Sequence, residues 1–498
     1  MSSNVSGSEP LPFVMRSRFS AALAIIVLPG LLWITGRPIA APAVGNRGLF
    51  VDRGPWIGGV TPTSAVVKVR LASEGAVARL SLGEAGTNQS VSFTIPQTAP
   101  PDRLVTFELR NLKPSTHYFY NIEVGGRFDR ITLGQFTTFP AGPASFTFAY
   151  ASCARTASTH PVFRTIRENH PLFFMNIGDF HYLNISSDNP EKFYAAYDEV
   201  LSSPAQSELY RNVPFVYMWD DHDYGGNNTS RTAPSRSAAR FVYERYMPHY
   251  PLEAGRGNVP IYQAFTVGRV RFILTDLRSE RVPDNERDTP QKTMMGSAQK
   301  EWFKQQLLSA KGVYPLIFWV STVPWIGTAG VDVYSNETNA DGTLSPMNLP
   351  PRAQQQFANR KRDPWLDDYW AGFAYERHEI ADFIKQNNIR SICILHGDAH
   401  SLAADNGTHS DYATGGGASM PVLASAPLDQ DGSIKGGPYS QGVYKPLRGE
   451  GCFGLVTVLD RGDRIRVVYS GRNHFNHEKI SLTFEVPAAA SSKPVAQR

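Results

Sequence analysis

The chain has 498 residues, of which 42% are hydrophobic and 19% are charged, and its formal net charge is +4. This length exceeds that of one typical domain, and the composition allows a substantial apolar core. The small positive charge argues against a nucleic-acid partner, which would require a concentrated basic face. The three cysteines, Cys153, Cys393 and Cys452, are widely spaced, which excludes a disulfide framework and a CxxC zinc site.

Residues 1–43 are predicted to form a targeting segment. Arg16 and Arg18 precede an uncharged apolar run at residues 19–36, and Ala41-Pro42-Ala43 follows. A basic region, an apolar region and an A-x-A site are typical of a cleaved export signal. The run is also long enough to span a bilayer, so an uncleaved membrane anchor is the alternative. Either form predicts an exported protein that is periplasmic, secreted or anchored facing outward.

Short alternating segments separated by turns fill residues 48–140, and segments such as "SAVVKVRL" and "LVTFELRNL" recur at regular intervals. This spacing is typical of a small antiparallel β-sandwich. The segments "NLKPSTHYFYNIEVGG" and "GQFTTFP" resemble the fibronectin type III pattern. Such sandwiches serve many roles, so the resemblance concerns the fold alone.

Apolar strands alternate with helices over residues 144–486, which is the pattern of a layered α/β domain. One helix is predicted over residues 297–310, with Ser297 as its N-cap. The polar tail at residues 487–498 is predicted to be disordered. The candidate strands are residues 145–151, 172–177, 214–219, 270–275, 316–321 and 391–395.

Polar side chains follow four of these strands. In α/β sheets the ligand crevice lies beyond the carboxyl ends of the strands, so we expect these side chains at one rim. The four groups are Cys153, Asp179 to Tyr182, Asp220 to Asp223, and His396 to His400.

So many carboxylates at one rim require positive charge, and metal ions supply it most simply. A thiolate with a phenolate and a carboxylate suits ferric iron or zinc, whereas oxygen-rich positions suit calcium, magnesium or manganese. The mixture of ligand types therefore predicts two or more ions. Adjacent metals bridged by a carboxylate are the usual apparatus for hydrolysing phosphate esters.

Four motifs, "ASC", "GDFHY", "WDDHD" with a following "NN", and "HGDAH", occur in this order behind the fibronectin-like segment. This order resembles the alkaline phosphatase D (PhoD-like) family of the calcineurin-like metallophosphoesterase superfamily. Connecting segments such as "DPWLDDYWAGFAYERHEI" are also similar. The resemblance implies an α/β (α+β) four-layer metallophosphoesterase sandwich with an N-terminal fibronectin type III-like β-sandwich.

The resemblance also implies an enzyme that hydrolyses small phosphate esters, of the alkaline phosphatase or phosphodiesterase type, with water activated by metal ions. The implied metals are iron plus calcium, with zinc, manganese or magnesium as alternatives. Asp179 would bridge the ions, and Asp221 would replace an Asn of the superfamily motif. The full set of implied ligands is Cys153, Asp179, Tyr182, Asp221, Asp398 and His400.

Four further residues are candidates for contact with the phosphate. The resemblance implies His222 and one Asn, either Asn227 or Asn228, and Arg155 lies close enough to Cys153 in sequence to reach a phosphate oxygen. His181 and His396 stand where the family usually has other residues, so each is open as an added ligand.

Two other functions stay open. The first is a non-catalytic surface-binding protein whose metal site is structural, and the second is a hydrolase of other esters on the same site. We expect a monomer. The sequence leaves the preference between phosphomonoesters and phosphodiesters undetermined.

Overall fold

The structure, a computed structural model, describes residues 50–86, 91–327, 343–344 and 368–488. The predicted signal or anchor at residues 1–43 lies outside these ranges, as does the predicted tail beyond residue 488. Within the described residues, no helix has both the length and the apolar character needed to cross a bilayer.

The strands and helices follow the predicted alternation. Strands β1 to β23 are, in chain order, Val51–Gly58, Ala65–Leu71, Val77–Glu84, Ser92–Phe93, Gln97–Thr98, Leu104–Leu109, His117–Val124, Arg127–Phe128, Gly134–Thr137, Phe146–Ala151, Phe174–Asn176, Phe215–Tyr217, Gln263–Val267, Val270–Leu274, Leu316–Val320, Thr343–Leu344, Ile392–His396, Leu402–Asp405, Val422–Ser425, Val443–Tyr444, Cys452–Asp460, Arg464–Asn473 and Glu478–Pro487. Helices α1 to α7 are Val162–Glu168, Pro190–Ser202, Pro204–Asn212, Asp221–Tyr224, Arg236–Tyr246, Gly296–Ala310 and Ala374–Gln386. Each of the six strands predicted after residue 144 is present.

The predicted N-cap of α6 is wrong. The helix begins at Gly296, and its N-cap residue is Met295, whose side chain makes no capping hydrogen bond. The Gly296 N–H instead donates to Thr293 Oγ1 at 2.8 Å. Ser297 therefore lies inside the first turn, where its hydroxyl has no capping role.

Two large sheets build the central part of the molecule. The first has the order β23-β22-β21-β10-β11-β12-β1-β2-β6, and the second has the order β13-β14-β15-β17-β19-β18-β20-β16. Strands β10, β11 and β12 run parallel, as do β14, β15, β17 and β19. The carboxyl ends of the parallel strands therefore open toward loops that can meet.

Alternation along the strands divides the apolar residues between two cores. In β15, Phe318 and Val320 belong to the core between the sheets, whereas Trp319 belongs to an outer core with Phe303 and Leu307 of α6. This division follows from the two-residue period of a strand. Helix α6 thus covers the outer face of the second sheet.

The outer face of the first sheet is covered by helices as well. Tyr210 of α3 lies with its ring centroid 4.4 Å from that of Phe215. Between the sheets, Phe148 meets Phe272 and Phe318, each at 5.4 Å. The observed order is helix, sheet, sheet, helix, and the predicted mixed α/β fold is confirmed.

The N-terminal strands are divided between two sheets. Strands β1, β2 and β6 are antiparallel and extend the first large sheet, in which β1 also runs parallel to β12. Strands β3, β4, β5, β7, β8 and β9 form a third sheet. Two packed antiparallel sheets agree with the predicted sandwich pattern, and its assignment as a fibronectin type III-like domain at residues 48–140 stays a prediction.

Candidate metal centre

Four loops at the carboxyl ends of strands build the site. Cys153 follows β10, Asp179 follows β11, Asp221 begins α4 after β12, and Asp398 follows β17. Strands β10 to β12 belong to the first sheet and β17 to the second. The site therefore lies where the edges of both sheets meet, at the predicted rim.

Two clusters of potential metal ligands share one carboxylate. Cys153, Asp179 and His400 each place a ligand atom within 4.8 Å of the others, and so do Asp179, Asp221 and His222. Asp179 belongs to both clusters, which is the position of a bridging ligand.

Several of these residues have a backbone conformation that side chains rarely adopt. The φ angles are 62° at Cys153, 56° at Asp179, 55° at Asp398 and 52° at His400. A left-handed conformation is unfavourable for residues other than glycine, so neighbouring contacts must hold it. The Cys153 N–H donates to Gly178 O at 3.1 Å, and the Asp398 N–H donates to Ser152 Oγ at 3.1 Å. These loops are therefore fixed against one another across the two sheets.

Two glycines permit the close approach of the loops. At Gly178, whose φ is +118°, an added Cβ would lie 2.4 Å from the Cβ of Asp220. At Gly397, an added Cβ would lie 2.3 Å from Ser152 Oγ. Any larger residue at either position would push the ligand loops apart.

Tyr182 and His400 complete the first cluster. The Tyr182 hydroxyl donates to Asp179 Oδ2 at 2.7 Å and lies 3.2 Å from His400 Nε2. His400 Nδ1 lies 2.8 Å from the carbonyl oxygen of Asp431. A carbonyl only accepts, so Nδ1 carries the proton and the Nε2 lone pair faces the cluster. This orientation is the one that a metal-binding histidine needs.

Among the candidate ligands in the described residues, Asp179 Oδ1 and Asp398 Oδ2 are buried carboxylate oxygens without a hydrogen-bond partner. Burial, followed by the charges of the neighbouring carboxylates, raises the pKa of Asp179 well above its usual value. Burial, followed by the charges of Asp179 and Asp398, likewise raises the pKa of the Cys153 thiol. Such groups become anions together only when a cation lies among them. The donor set therefore fits metal ions.

The other two carboxylates of the "WDDHD" motif have structural roles. The Asp223 carboxylate accepts the backbone N–H groups of Asp179 and Phe180, each at 2.6 Å, and that of Asp220 at 3.0 Å. Asp220 Oδ1 accepts from Arg278 Nε at 2.5 Å. Both carboxylates thus orient the loops, and Asp221 is the carboxylate of this motif that belongs to a ligand cluster.

The sequence interpretation missed the supporting role of Arg278. Its guanidinium is buried and also donates to both oxygens of Asp368, at 2.8 and 3.0 Å. Asp368 lies 90 residues away, so no local pattern indicates the contact. The sequence feature that could have indicated this role is the position of Arg278 shortly after β14, at the same end of the sheets as the candidate metal ligands.

His222 belongs to the second cluster, and Asn228 lies beside it. His222 Nδ1 is 2.5 Å from Asn184 Oδ1, and its ring centroid is 4.1 Å from that of Tyr182. The Asn228 N–H donates to Asp221 Oδ2 at 2.7 Å. Asn227 is exposed, and its amide donates to the side chain of Asn228. Of the two candidate asparagines, Asn228 is therefore the one that contacts a predicted ligand.

The side chain of Arg155 hydrogen-bonds to a neighbouring loop. Its Nε donates to Asp429 O at 2.9 Å, and its Nη2 donates to Asp431 Oδ1 at 3.0 Å. Half of the side chain is exposed. A contact from Arg155 to phosphate stays a prediction.

His181 and His396, the two histidines that depart from the family pattern, lie outside both ligand clusters. His396 has a partner for each ring nitrogen, the carbonyl oxygen of Gly397 at 3.0 Å and the Tyr439 hydroxyl at 3.1 Å. His181 is buried beside Phe193 and Tyr197. Burial lowers the pKa of His181 to about 3, which keeps its imidazole neutral.

A lysine that the sequence interpretation did not single out reaches the site. Lys435 Nζ lies 2.6 Å from Asp398 Oδ1. The two residues are 37 positions apart, and Lys435 lies in a glycine-rich loop without a recognisable motif.

Comparison with known proteins finds that this chain is similar to phosphatases. The chain is 24% identical over 357 residues to alkaline phosphatase D of Bacillus subtilis (strain 168), a match that spans 62% of this chain and 55% of that protein. It is 22% identical over 190 residues to tartrate-resistant acid phosphatase type 5 of Rattus norvegicus, over 38% of this chain and 53% of that protein. The chain thus spans about half the length of the curated relatives it matches.

Solved structures show the same fold. A PhoD structure matches with a TM-score of 0.67 and 17% identity, over 89% of this chain and 92% of that chain. A purple acid phosphatase from yellow lupin (Lupinus luteus) seeds matches with a TM-score of 0.57 and 11% identity, over 88% of this chain and 74% of that chain.

The family follows from a match to the model of one protein family. Residues 148–437, more than half of the chain, match the PhoD-like phosphatase family. This chain belongs to the PhoD-like phosphatases, and the resemblance inferred from its motifs is confirmed. Family membership also supports the predicted enzyme class, a phosphoric ester hydrolase.

Proposed function

We propose that this chain is an exported, metal-dependent phosphoric ester hydrolase of the alkaline phosphatase or phosphodiesterase type. The observation that carries the proposal is the pair of ligand clusters that share Asp179. Metal ions held there activate water and neutralise charge on the phosphate and on the displaced group. The export part rests on the basic, apolar and A-x-A pattern of residues 1–43.

The ligand types assign different ions to the two clusters. Cys153, Tyr182 and His400, together with Asp179, supply sulfur, phenolic oxygen and nitrogen, which suits iron or zinc. In the second cluster, Asp179 and Asp221 supply carboxylate oxygen, as does the predicted ligand Asp398, and this suits calcium, with manganese or magnesium as alternatives. Iron plus calcium is the pair that this division favours.

The polar groups beside the second cluster orient the phosphate. The Asn228 backbone N–H donates to Asp221 Oδ2, and its side-chain Nδ2 donates to Asp284 Oδ2 at 3.3 Å. His222 Nδ1 donates to Asn184 Oδ1, so Nε2 is the ring nitrogen left to exchange a proton with a bound phosphate ester. Burial lowers the pKa of His222, so this imidazole is neutral at alkaline pH. Hydrogen bonds that strengthen as charge develops on the phosphate lower the barrier.

Asp179→Asn tests the proposal because the amide keeps the size of the side chain and removes the shared charge. We expect bound metal to fall and turnover of 4-nitrophenyl phosphate and bis(4-nitrophenyl) phosphate to drop by at least about 100-fold, since a shared ligand serves both ions. Metal content by plasma mass spectrometry and initial rates are measured on the same samples.

Asp405→Asn is the matched control, since Asp405 is equally buried and accepts from His409 Nδ1 and from nearby backbone N–H groups. It should lower stability while specific activity stays near normal. A wild-type protein that holds its metals and hydrolyses neither ester would favour the structural-site alternative. Turnover of carboxylic esters alone would favour the second alternative.

A further inference from the structure

Lys435 brings a fixed positive charge into the candidate metal centre. Its Nζ engages Asp398 Oδ1, while the buried Oδ2 of the same carboxylate has no hydrogen-bond partner among the described residues. One carboxylate thus offers one oxygen to the lysine and the other to an ion. About one-third of the Lys435 side chain is exposed, at 33%, so solvent reaches part of this side chain.

The loop at residues 429–439, here named the Lys435 loop, is held on both sides of the lysine. On one side, the Ser433 N–H donates to His400 O at 3.0 Å. On the other side, the Gly437 N–H donates to Ile326 O at 3.0 Å, and the Tyr439 hydroxyl lies 3.1 Å from His396 Nε2. Lys435 is therefore preorganised rather than carried on a free loop.

His396 and Arg155 both contact the Lys435 loop. His396 contacts the Lys435 loop through Tyr439, and Arg155 contacts the start of the loop through Asp429. Both side chains therefore help to hold the loop that carries Lys435.

The other cations at the site have their donors engaged elsewhere. Arg278 is buried and bonds to Asp220 and Asp368, and Arg155 bonds to Asp429 and Asp431. When an ion also binds Asp398, this carboxylate faces two positive charges, so it compensates the charge of Lys435 only in part. A negatively charged group bound at the site is then attracted by the uncompensated charge.

The charge of the substrate phosphate differs between ester classes. At alkaline pH a phosphomonoester carries two negative charges on its phosphate, and a phosphodiester carries one. A fixed cation stabilises the doubly charged group more strongly, since Coulomb energy is proportional to the product of the charges. We propose that Lys435 is a specificity-determining residue that favours phosphomonoesters over phosphodiesters, an inference that rests on the proposed function.

The test compares Lys435→Met and Lys435→Arg with the wild-type protein at pH 8. In Lys435→Met we expect about a tenfold fall in the ratio of kcat/KM for 4-nitrophenyl phosphate to kcat/KM for bis(4-nitrophenyl) phosphate, because the charge that favours the dianion is lost. Solvent screens part of this charge in the wild-type protein, which limits the size of the fall. Lys435→Arg, which keeps the charge, should restore the ratio to within about threefold of wild type. Metal content should be unchanged in both variants.

Lys113→Met is the control, since Lys113 also pairs with a carboxylate, Glu84 at 2.7 Å, but in the third sheet. Its ester ratio should equal that of wild type. If Lys435→Met unfolds, Lys435→Gln replaces it, and thermal unfolding of each variant verifies the fold.

Calorimetric binding of inorganic phosphate and of dimethyl phosphate, as dianion and monoanion, measures the same preference without turnover. Wild-type protein should bind inorganic phosphate more tightly, and Lys435→Met should lose most of that difference. An equal loss for both esters, an unchanged ratio, loss of metal in Lys435→Met, or wild-type protein that binds neither ion would overturn the inference. A wild-type protein that binds phosphate preferentially and hydrolyses neither ester would instead refute the proposed function alone.

Discussion

Cys153 and Cys393 have the same side chain and are both buried, yet their surroundings differ in kind. Cys393 lies within the apolar strand β17, in the core between the two sheets. Cys153 lies just beyond β10, with Ser152 Oγ 3.1 Å from its sulfur and with Asp179 and His400 in its cluster. Cys393 inside a strand is thus a packing group, whereas Cys153, two residues beyond the end of a strand, is a candidate ligand.

This contrast predicts opposite results for the two serine variants. Cys153→Ser replaces a soft thiolate ligand by a hydroxyl, so metal content and turnover should fall together, the latter by at least about tenfold. Cys393→Ser buries a hydroxyl in an apolar core, which should cost roughly 1–3 kcal/mol of unfolding free energy and leave specific activity near normal. Metal analysis, rates and urea unfolding separate the two. Unchanged metal in Cys153→Ser would assign this cysteine to the core.

Single residues could be predicted at the site only where a local pattern marks them. Strand ends identified Cys153 and the groups Asp179 to Tyr182 and Asp220 to Asp223, because the carboxyl ends of parallel strands share one edge. The family resemblance then selected Asp179 and Asp221 within these groups. Lys435 and Arg278 could not be found in this way, because each reaches its carboxylate from a loop that is distant in sequence. Such contacts depend on how the two sheets stack, which no single segment encodes.

At the scale of elements, strand β2 and helix α5 are joined by a buried lysine. Lys68 Nζ donates to the carbonyl oxygens of Glu244 and Arg245, at 3.1 and 2.6 Å, in the last turn of the helix. These carbonyls have no partner within the helix, so the lysine satisfies acceptors at the negative end of the helix dipole. Only 7% of Lys68 is exposed.

The burial of Lys68 predicts a pH dependence of stability. Burial, followed by the charge of Arg245, lowers the pKa of Lys68 from 10.5 to about 7. Between these pH values the unfolded chain binds the proton and the folded protein releases it, so the free energy of unfolding rises with pH. From pH 7 to pH 9, urea unfolding should show a gain on the order of 1–2 kcal/mol in wild type relative to Lys68→Met. Parallel pH profiles for the two proteins would contradict this prediction.

Element boundaries were predictable where the apolar period was clear and not where capping decided them. The strands inside the large sheets appear within a few residues of prediction because their runs are apolar and end in polar loops. The start of α6 was misplaced because Thr293, which lies before the helix, accepts the first N–H in place of Ser297. Capping depends on the path of the preceding loop, which composition does not reveal.

At the scale of the whole molecule, the N-terminal strands β1, β2 and β6 belong to the same sheet as β10, β11 and β12, three of the strands that lead into candidate metal ligands. Strand β1 pairs with β12, and β12 leads into Asp220 and Asp221. Trp56 of β1 is buried and donates from Nε1 to Tyr246 O at 2.8 Å, and the Tyr120 hydroxyl donates to Arg211 O at 2.8 Å. The described residues all lie in one compact unit. The sequence predicted the strands but not this pairing, because parallel neighbours that are distant in sequence leave no local signal.

Removing the N-terminal strands should therefore damage the metal centre as well as the fold. A chain of residues 144–498 exposes the edge of β12 and the apolar surface that Trp56 covers, and an unpaired strand edge promotes association. We expect this chain to aggregate or to unfold at a temperature lower by at least about 10 °C, because burial of several large side chains is lost. Its metal content should fall, since the loop after β12 carries Asp221. A chain of residues 50–498 is the control and should keep both metal and stability. Size-exclusion chromatography, thermal unfolding and metal analysis are compared for the two chains. A monomeric 144–498 chain with full metal content and an unchanged unfolding temperature would show instead that residues 48–140 form an independent domain, as the predicted boundaries imply.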